Sequence, residues 1–245
     1  MIFRKLIEVV AETRCDCIAL SGGIDSSTIL LAAVSAGVKP KALTVVYGGG
    51  LPKDLPYVIY LSKALNVDLE IIKMDTNDAL SMWEDIVRCV GINGINSHGD
   101  GGCIEFRNDL VFYMAMKRAK ELRCRCIYVG SGGDELFLGY NYLLHMSSTD
   151  IEDVINNVVH HGRFPEIEIA KCLGVNAIAP YLTKDIISLA TTIPLQCLRS
   201  ERMLGKEVLR DVLVAHNLGF VALRMKEPAE EGAGTKIICK SIYDK

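Results

Sequence analysis

The chain lacks most of the features by which a sequence declares a special class. No run of eighteen apolar residues occurs among its 245, so an ordinary membrane-spanning helix is excluded. An excess of charge of one sign is missing too. Lys and Arg number 27 against 30 Asp and Glu, a net −3, which suits neither a coat for a polyanion nor a disordered acidic tail. Nucleic acid is therefore not indicated as a partner. No C-x-x-C occurs among nine cysteines, so the usual zinc and thioredoxin-like spacings are absent. The start, MIFRKLIEVV, is too short and too charged for a signal peptide, and a cytoplasmic protein without membrane attachment is expected. Tryptophan occurs once, at Trp83, which reads as core at helical spacing.

What is present begins with Cys17 to Leu31, CIALSGGIDSSTILL. Cys17 to Leu20 has the length and apolar character of a buried strand, and it stops at Ser21-Gly22-Gly23. From Thr28 to Ala36 the chain is apolar on nearly every face, as a buried helix would be. Two glycines let a backbone approach an anion closely, and Ser26 and Ser27 are placed to cap the helix and aim its first N–H groups at negative charge. The stretch asks for a phosphate. It lacks the lysine of G-x-x-x-x-G-K-[ST] and the spacing of G-x-G-x-x-G, so it is neither of those loops. Asp25 would repel phosphate unless a divalent cation bridged them, which makes Mg²⁺ the natural third party.

Further along, Lys41 to Tyr47 and Leu69 to Met74 read as buried strands, with helices over residues 2–14, 54–65 and from Thr76 to about Cys89. Strand and helix alternating at this spacing predict an α/β fold with a doubly wound parallel sheet. Gly91 to Cys103 reads as a long polar glycine-rich loop, and Asn108 to Leu122 as a helix. Cys126 to Val129 is another short strand and runs straight into Gly130-Ser131-Gly132-Gly133-Asp134-Glu135. This second loop repeats the first: strand, glycine turn, then an acid where a helix begins. Two such loops at neighbouring carboxyl ends would face one crevice, and Asp25 and Asp134 could share a metal. After Tyr140 helices dominate, over 149–160, 165–173, 183–192 and 206–217, with Ala177 to Leu182 as an extended link. The expected organisation is a core over 1–145 and a helical region over 146–245 that completes the site.

SGGIDSS resembles the pyrophosphate loop of the ATP pyrophosphatase superfamily, and GSGGDELFLGY resembles the second signature of asparagine synthetase and its relatives. Ala179-Pro180-Tyr181-Leu182, Lys206-Glu207-Val208-Leu209-Arg210 and Arg224-Met225-Lys226-Glu227 are similar, in the same order, to further segments of that family. The resemblance implies an adenine nucleotide α-hydrolase-like sheet with a helical C-terminal half, and an ATP-dependent, AMP-forming ligase. Ser21, Gly22, Gly23, Ser26 and Ser27 would hold pyrophosphate, and Asp25 with Asp134 would coordinate Mg²⁺. Backbone groups at Leu20, Tyr47, Val129 and Gly130 would hold adenosine, while Lys206 and Lys226 would neutralise the departing phosphates. Arg107 lies near where the family carries an arginine facing substrate and nucleotide. The implied substrates are ATP, an aspartate-like carboxylate and ammonia. The chain has no N-terminal catalytic cysteine, residue 2 being Ile2, so ammonia would come from solution or a separate glutaminase subunit. The oligomeric state stays open, a homo-oligomer included.

Two family acids are replaced, by Ser131 and Thr183, which puts the aminating half-reaction in question. Two further readings follow: a pyrophosphatase serving another acceptor, such as tRNA or a cofactor, and a nucleotide sensor that binds ATP without turnover. The pairs Cys15/Cys17 and Cys124/Cys126 are expected to be buried thiols. Alternation points both members of a pair to one face, and a disulfide or metal site would arise if their strands were neighbours. His98 and the pair His160-His161 are given no role, the latter reading as a helix-end cap. Glu227 to Gly234 is expected to loop over the site.

Overall fold

The computed structural model describes residues 1–147, 151, 153–155, 157, 162–199 and 204–238. Its elements run in the order α1 (Ile2–Thr13), β1 (Cys17–Ala19), α2 (Ile24–Ser35), β2 (Lys41–Tyr47), α3 (Leu55–Leu65), β3 (Leu69–Met74), α4 (Thr76–Ser81), α5 (Trp83–Ile95), α6 (Cys103–Glu121), β4 (Ile127–Tyr128) and α7 (Gly133–Leu136). Then come α8 (Pro165–Leu173), β5 (Ala177–Ile178), α9 (Lys184–Ala190), α10 (Leu195–Leu198), α11 (Glu207–Ala215), α12 (Gly219–Ala222) and α13 (Ala229–Ala233). The strands form one parallel sheet in the order β3-β2-β1-β4-β5. Order reverses between β1 and β4, which is where a doubly wound sheet opens its binding crevice.

Side-chain alternation along the strands sorts the core into two layers. Ile18 and Tyr128 point to the layer built on α1, α2, α3 and the later helices, whereas Cys17, Ile127 and Val129 point to the layer built on α5, α6 and α8. Helix α1 feeds the first layer with one stripe, Ile2, Leu6 and Val10, at the four-residue spacing of a helix face. Helix α2 is buried nearly all round, as its sequence required.

Three expectations change. The loop at Gly91 to Cys103 is shorter than its glycine content suggests: α5 continues to Ile95 across a kink at Gly91, where φ is 74° and a glycine is needed. The extended link at Ala177 contributes β5, the edge strand beside β4. The tail Glu227 to Gly234 carries the short helix α13. Of the helix expected over 149–160, Ile151 and Ile155 are described and lie buried, while His160 and His161 lie outside the described residues.

The cysteines depart most. Cys15 is bonded to Cys126, Cys17 to Cys124 and Cys89 to Cys172, so these are disulfides and not buried thiols. The physical reason is adjacency: β1 and β4 pair directly, which brings Cα atoms of the two bridges to 4.8 and 6.2 Å. The members of each pair also sit in different core layers, Cys15 and Cys126 in one, Cys17 and Cys124 in the other. Strand alternation fails there because Cys15 and Cys124 precede their strands. Tyr128 closes the same corner, its hydroxyl donating to Val10 O at 3.0 Å and accepting from Cys15 N at 3.0 Å. Among the described residues no helix is long and apolar enough to cross a membrane.

The two bridges between β1 and β4 are nested, so either one closes nearly the whole loop and the other adds little chain entropy. Replacing Cys17 and Cys124 by Ser should therefore lower stability slightly, whereas removing both bridges should cost about 4 kcal/mol, read by urea denaturation. With Cys103 also disulfide-bonded, at least seven sulfurs are bridged, and thiol titration of unfolded, unreduced protein should count at most two of nine cysteines as free. Nine would refute the bridging.

Candidate active site

Two glycine turns meet at the carboxyl ends of β1 and β4. In the first, Gly22 takes φ 67° with its Cα against α3, and a Cβ there would come within 2.6 Å of Tyr57 Cβ. Ser21 Oγ accepts from Gly23 N at 3.2 Å and lies 3.2 Å from Ser26 Oγ. The serines do not cap α2. Gly23 is the N-cap, with no side-chain cap bond, and Ser26 and Ser27 lie inside the first turn. The helix consequently keeps first-turn N–H groups free to meet an anion, and among the described residues the buried Ser27 Oγ has no hydrogen-bond partner.

In the second turn, Gly132 (φ 90°) and Gly133 bring α7 against α2 so closely that a Cβ on Gly133 would collide with the Asp25 carboxylate. Asp25 and Asp134, each in the first turn of its helix, therefore face each other. Between them lies Lys206, 5% exposed, whose ammonium is bonded to Asp25 Oδ2 and lies 2.7 Å from Asp134 Oδ1. Lys226 is bonded to the other oxygen of Asp134, and its ammonium stands 4.9 Å over the Tyr140 ring. Burial, reinforced by the Asp134 charge, pushes the Asp25 carboxyl up from its usual range. Burial would raise Asp134 as well, but the two lysines outweigh it and hold that carboxyl down. The same attraction raises the Lys206 ammonium against the lowering effect of its own burial.

Several residues that sequence reasoning left without a role build this arrangement. Arg210 is buried and donates to Gly205 O at 2.8 Å, Ala222 O at 2.5 Å and Arg224 O at 2.9 Å, tying the segment of Lys206 to that of Lys226. Arg224 donates to Ser21 O at 2.6 Å, pairs with the buried Asp54 and lies 4.4 Å over Tyr57, so the tail grips the first loop from below. Burial pushes the Asp54 carboxyl up to about 6 despite that arginine. Tyr181 donates its hydroxyl to Asp25 O at 3.1 Å. Arg210 and Arg224 stood in recognisable segments, but only the folded chain reveals which carbonyls they reach.

The remaining expected positions divide. Leu20, Tyr47, Val129 and Gly130 end β1, β2 and β4 beside the crevice. Leu20 is already committed, its N–H to Leu43 O at 2.9 Å and its carbonyl to Thr44 Oγ1 at 2.7 Å. The hydroxyl of Tyr47 lies 2.7 Å from Thr76 Oγ1. Arg107 pairs with Glu230 at 2.5 Å and donates to Lys236 O at 2.9 Å, so its guanidinium is held by the tail. Thr183 turns back onto Pro180 O at 2.9 Å as the N-cap of α9. Ser131 donates to Glu166 Oε1, on the first turn of α8, a residue that stands in no motif.

A divalent cation fits the carboxylate pair. Among the described residues Asp25 Oδ1 is buried without a hydrogen-bond partner, and Asp134 Oδ1 meets only the ammonium of Lys206. Among the described residues no three His, Cys, Asp or Glu gather, so such an ion would complete its shell with water and phosphate oxygens, as Mg²⁺ does in phosphate sites.

Residues 11–164 match the asparagine synthase family. A 7-cyano-7-deazaguanine synthase of Thermoplasma acidophilum is 26% identical over 182 residues, covering 72% of this chain and 73% of that protein. A Methanocaldococcus jannaschii protein, provisionally named a glutamine-hydrolysing asparagine synthetase, is 24% identical over 267 residues. That alignment covers 92% of this chain but 46% of the relative. Among solved structures, NMN synthetase from Francisella tularensis overlaps with a TM-score of 0.42 at 14% identity, over 78% of this chain and 91% of that one. The NH3-dependent NAD synthetase from Campylobacter jejuni overlaps with a TM-score of 0.39 at 17% identity, over 92% and 96%.

Replacing Lys206 by Met should cost about 2–3 kcal/mol in urea denaturation, because two half-buried carboxylates lose their shared cation and only Asp134 keeps another, Lys226. Millimolar Mg²⁺ should recover more stability in that variant than in the parent. A second test concerns Asp109 on α6, fully buried and pushed up to about 7 by burial despite Arg163. The folded state then binds more protons than the unfolded chain between about pH 4 and 7, so its contribution to stability falls as pH rises through that window. Asp109→Asn should flatten the slope there, read from denaturation midpoints across pH 4–8.

Proposed function

The chain belongs to the asparagine synthase family, and we propose that it is an ATP-dependent, AMP-forming ligase that adenylates a carboxylate and passes the acyl group to ammonia. The observation that carries this reading is the joining of Asp25 and Asp134, from two separate glycine turns, through Lys206. A plain structural turn has no use for two facing buried acids. A site that receives a polyphosphate with its cation does.

In this reading Ser21, Gly22, Gly23 and the first turn of α2 hold the β and γ phosphates through backbone N–H groups and the hydroxyls of Ser26 and Ser27. Asp25 and Asp134 hold Mg²⁺, which when bound supplies charge neutralisation at the phosphate oxygens. Lys206 and Lys226 leave the carboxylates for the phosphates as nucleotide arrives. Their ammonium groups then stabilise the negative charge that grows on pyrophosphate as the substrate carboxylate attacks the α phosphorus. Adenosine rests along the ends of β2 and β4, at Tyr47, Val129 and Gly130, whereas Leu20, with both backbone groups already bonded, serves only to fix the first loop. Arg107 reaches substrate only by releasing Glu230. The aspartate side chain is the first candidate carboxylate. An acceptor on a base or cofactor ring is the second reading, favoured by the relatives named 7-cyano-7-deazaguanine synthase.

Incubation with ATP, Mg²⁺, ammonium and a panel of carboxylic acids, aspartate first, should yield AMP and pyrophosphate. An ¹⁸O label in the accepted carboxylate should appear in AMP. Formation of ADP alone, or no turnover with any acid, would overturn the reading. Lys226→Met should slow pyrophosphate release by about 100-fold, the scale seen when one preorganised charge-stabilising donor is lost.

A further inference from the structure

The tail beyond Arg224 is fastened across the crevice at two charged groups, Asp134 and Arg107. Lys226 pairs with Asp134. Four residues on, in α13, Glu230 turns inward, and its Oε2 lies 2.5 Å from Arg107 Nε on α6. The acids beside it turn outward: Glu227 and Glu231 both reach the exposed Lys53, at 3.1 and 3.0 Å. Arg107 is held a second time, its Nη1 donating to Lys236 O at 2.9 Å. Uncharged bonds complete the fastening. Glu230 N donates to Asn108 Oδ1 at 3.0 Å, Thr235 Oγ1 to Arg107 O at 2.9 Å, and Asp54 N to Gly232 O at 3.0 Å.

The contact between Arg107 and Glu230 is close but poorly directed. Their side chains are only 13% and 10% exposed, yet among the described residues neither Arg107 Nε nor Glu230 Oε2 has a hydrogen-bond partner. The two groups meet by charge, without the alignment that a strong bond requires. A guanidinium binds an oxyanion best through two parallel N–H bonds, so an incoming phosphate or carboxylate in that geometry gains what Glu230 forgoes. We propose that Glu230 is an internal competitor for anions at Arg107, and that residues 226–236 form a strap which an anion and its cation release by displacing Glu230 from Arg107 and Lys226 from Asp134. That the releasing ligand is a polyphosphate with its cation rests on the ligase reading above; the fastenings themselves do not.

Both fastenings lie on one short segment, so the loss of one weakens the other. Glu227 and Glu231 stay on Lys53 at the outer edge, which keeps the released strap near the crevice and ready to close again. The price of such a device is affinity: a strap closed about nine-tenths of the time weakens the apparent binding of its ligand about tenfold. Removing the competing charge returns that factor.

Glu230→Gln in the full chain keeps the shape of the side chain and removes its charge, and a thermal melt shows that the fold persists. The first arm uses a simple oxyanion and needs no turnover. Sulfate should quicken hydrogen exchange of the peptide 227–238 in the parent severalfold beyond sodium chloride of equal ionic strength, whereas in the variant exchange is already quick and sulfate adds little. Sulfate acting no more strongly than chloride, or a variant as slow as the parent, overturns the proposal. In the second arm, calorimetric titration with inorganic pyrophosphate and Mg²⁺ should show the variant binding about tenfold more tightly. Thr235→Val is the control, since it loosens the strap but leaves the charge of Glu230 in place; it should quicken exchange and gain less than twofold in affinity. Equal affinity of parent and Glu230→Gln, or an equal gain in both variants, also refutes the internal competitor. Should the sulfate arm succeed while neither parent nor Glu230→Gln binds pyrophosphate, the strap stands and the ligase reading falls.

Discussion

A buried ammonium between two half-buried carboxylates is the constraint on which this molecule turns. Lys206 reaches Asp25 and Asp134 only because the first turns of α2 and α7 are pressed together at Gly133, and because Lys206 itself adopts a left-handed backbone, φ 57°. Its N–H donates to Phe137 O at 2.7 Å, so the lysine is anchored to the same turn that its side chain neutralises. Taking three charges out of water is expensive, and the contacts among them must offset that cost nearly in full. Every neighbouring feature serves this balance. Arg210 fixes the carbonyls on either side, Tyr181 fixes the backbone of Asp25, and Arg224 fixes the loop in front of it.

Such a triad is also a natural place for exchange. Lysine and a divalent cation are alternative partners for the same carboxylates, and a polyphosphate brings the second while attracting the first. In the proposed function these charges are the groups that a nucleotide would rearrange. Lys226, half exposed and resting on Tyr140, has the greater freedom to move; Lys206, buried behind it, has less.

Much of this was legible in the sequence because glycine turns and their acids are local signals. SGGIDSS and GSGGDE follow short apolar runs, and the demand for close backbone approach admits few residues besides glycine at Gly22 and Gly133. The parallel sheet was equally legible from alternating strand and helix. What escaped was whatever depended on distant packing. Glu166 stands in PEIE, an ordinary acidic helix start, and acquires meaning only because α8 lies beside β4. The cysteines misled because alternation was applied one residue pair beyond the strands, and because the adjacency of β1 and β4 is a long-range fact. Arg107 carried a motif-like position, yet its partner Glu230 lies far along the chain.

The paired bridges of β1 and β4 sit at the amino ends of those strands, whereas the triad sits at their carboxyl ends. The sheet thus has a fastened rim and a working rim, separated by the length of the strands. Bridges at the fastened rim oppose pulling the two central strands apart and touch neither Asp25 nor Asp134. The redox state of the surroundings accordingly bears on how long a molecule lasts, and the chemistry at the other rim is left to the glycine turns and their acids.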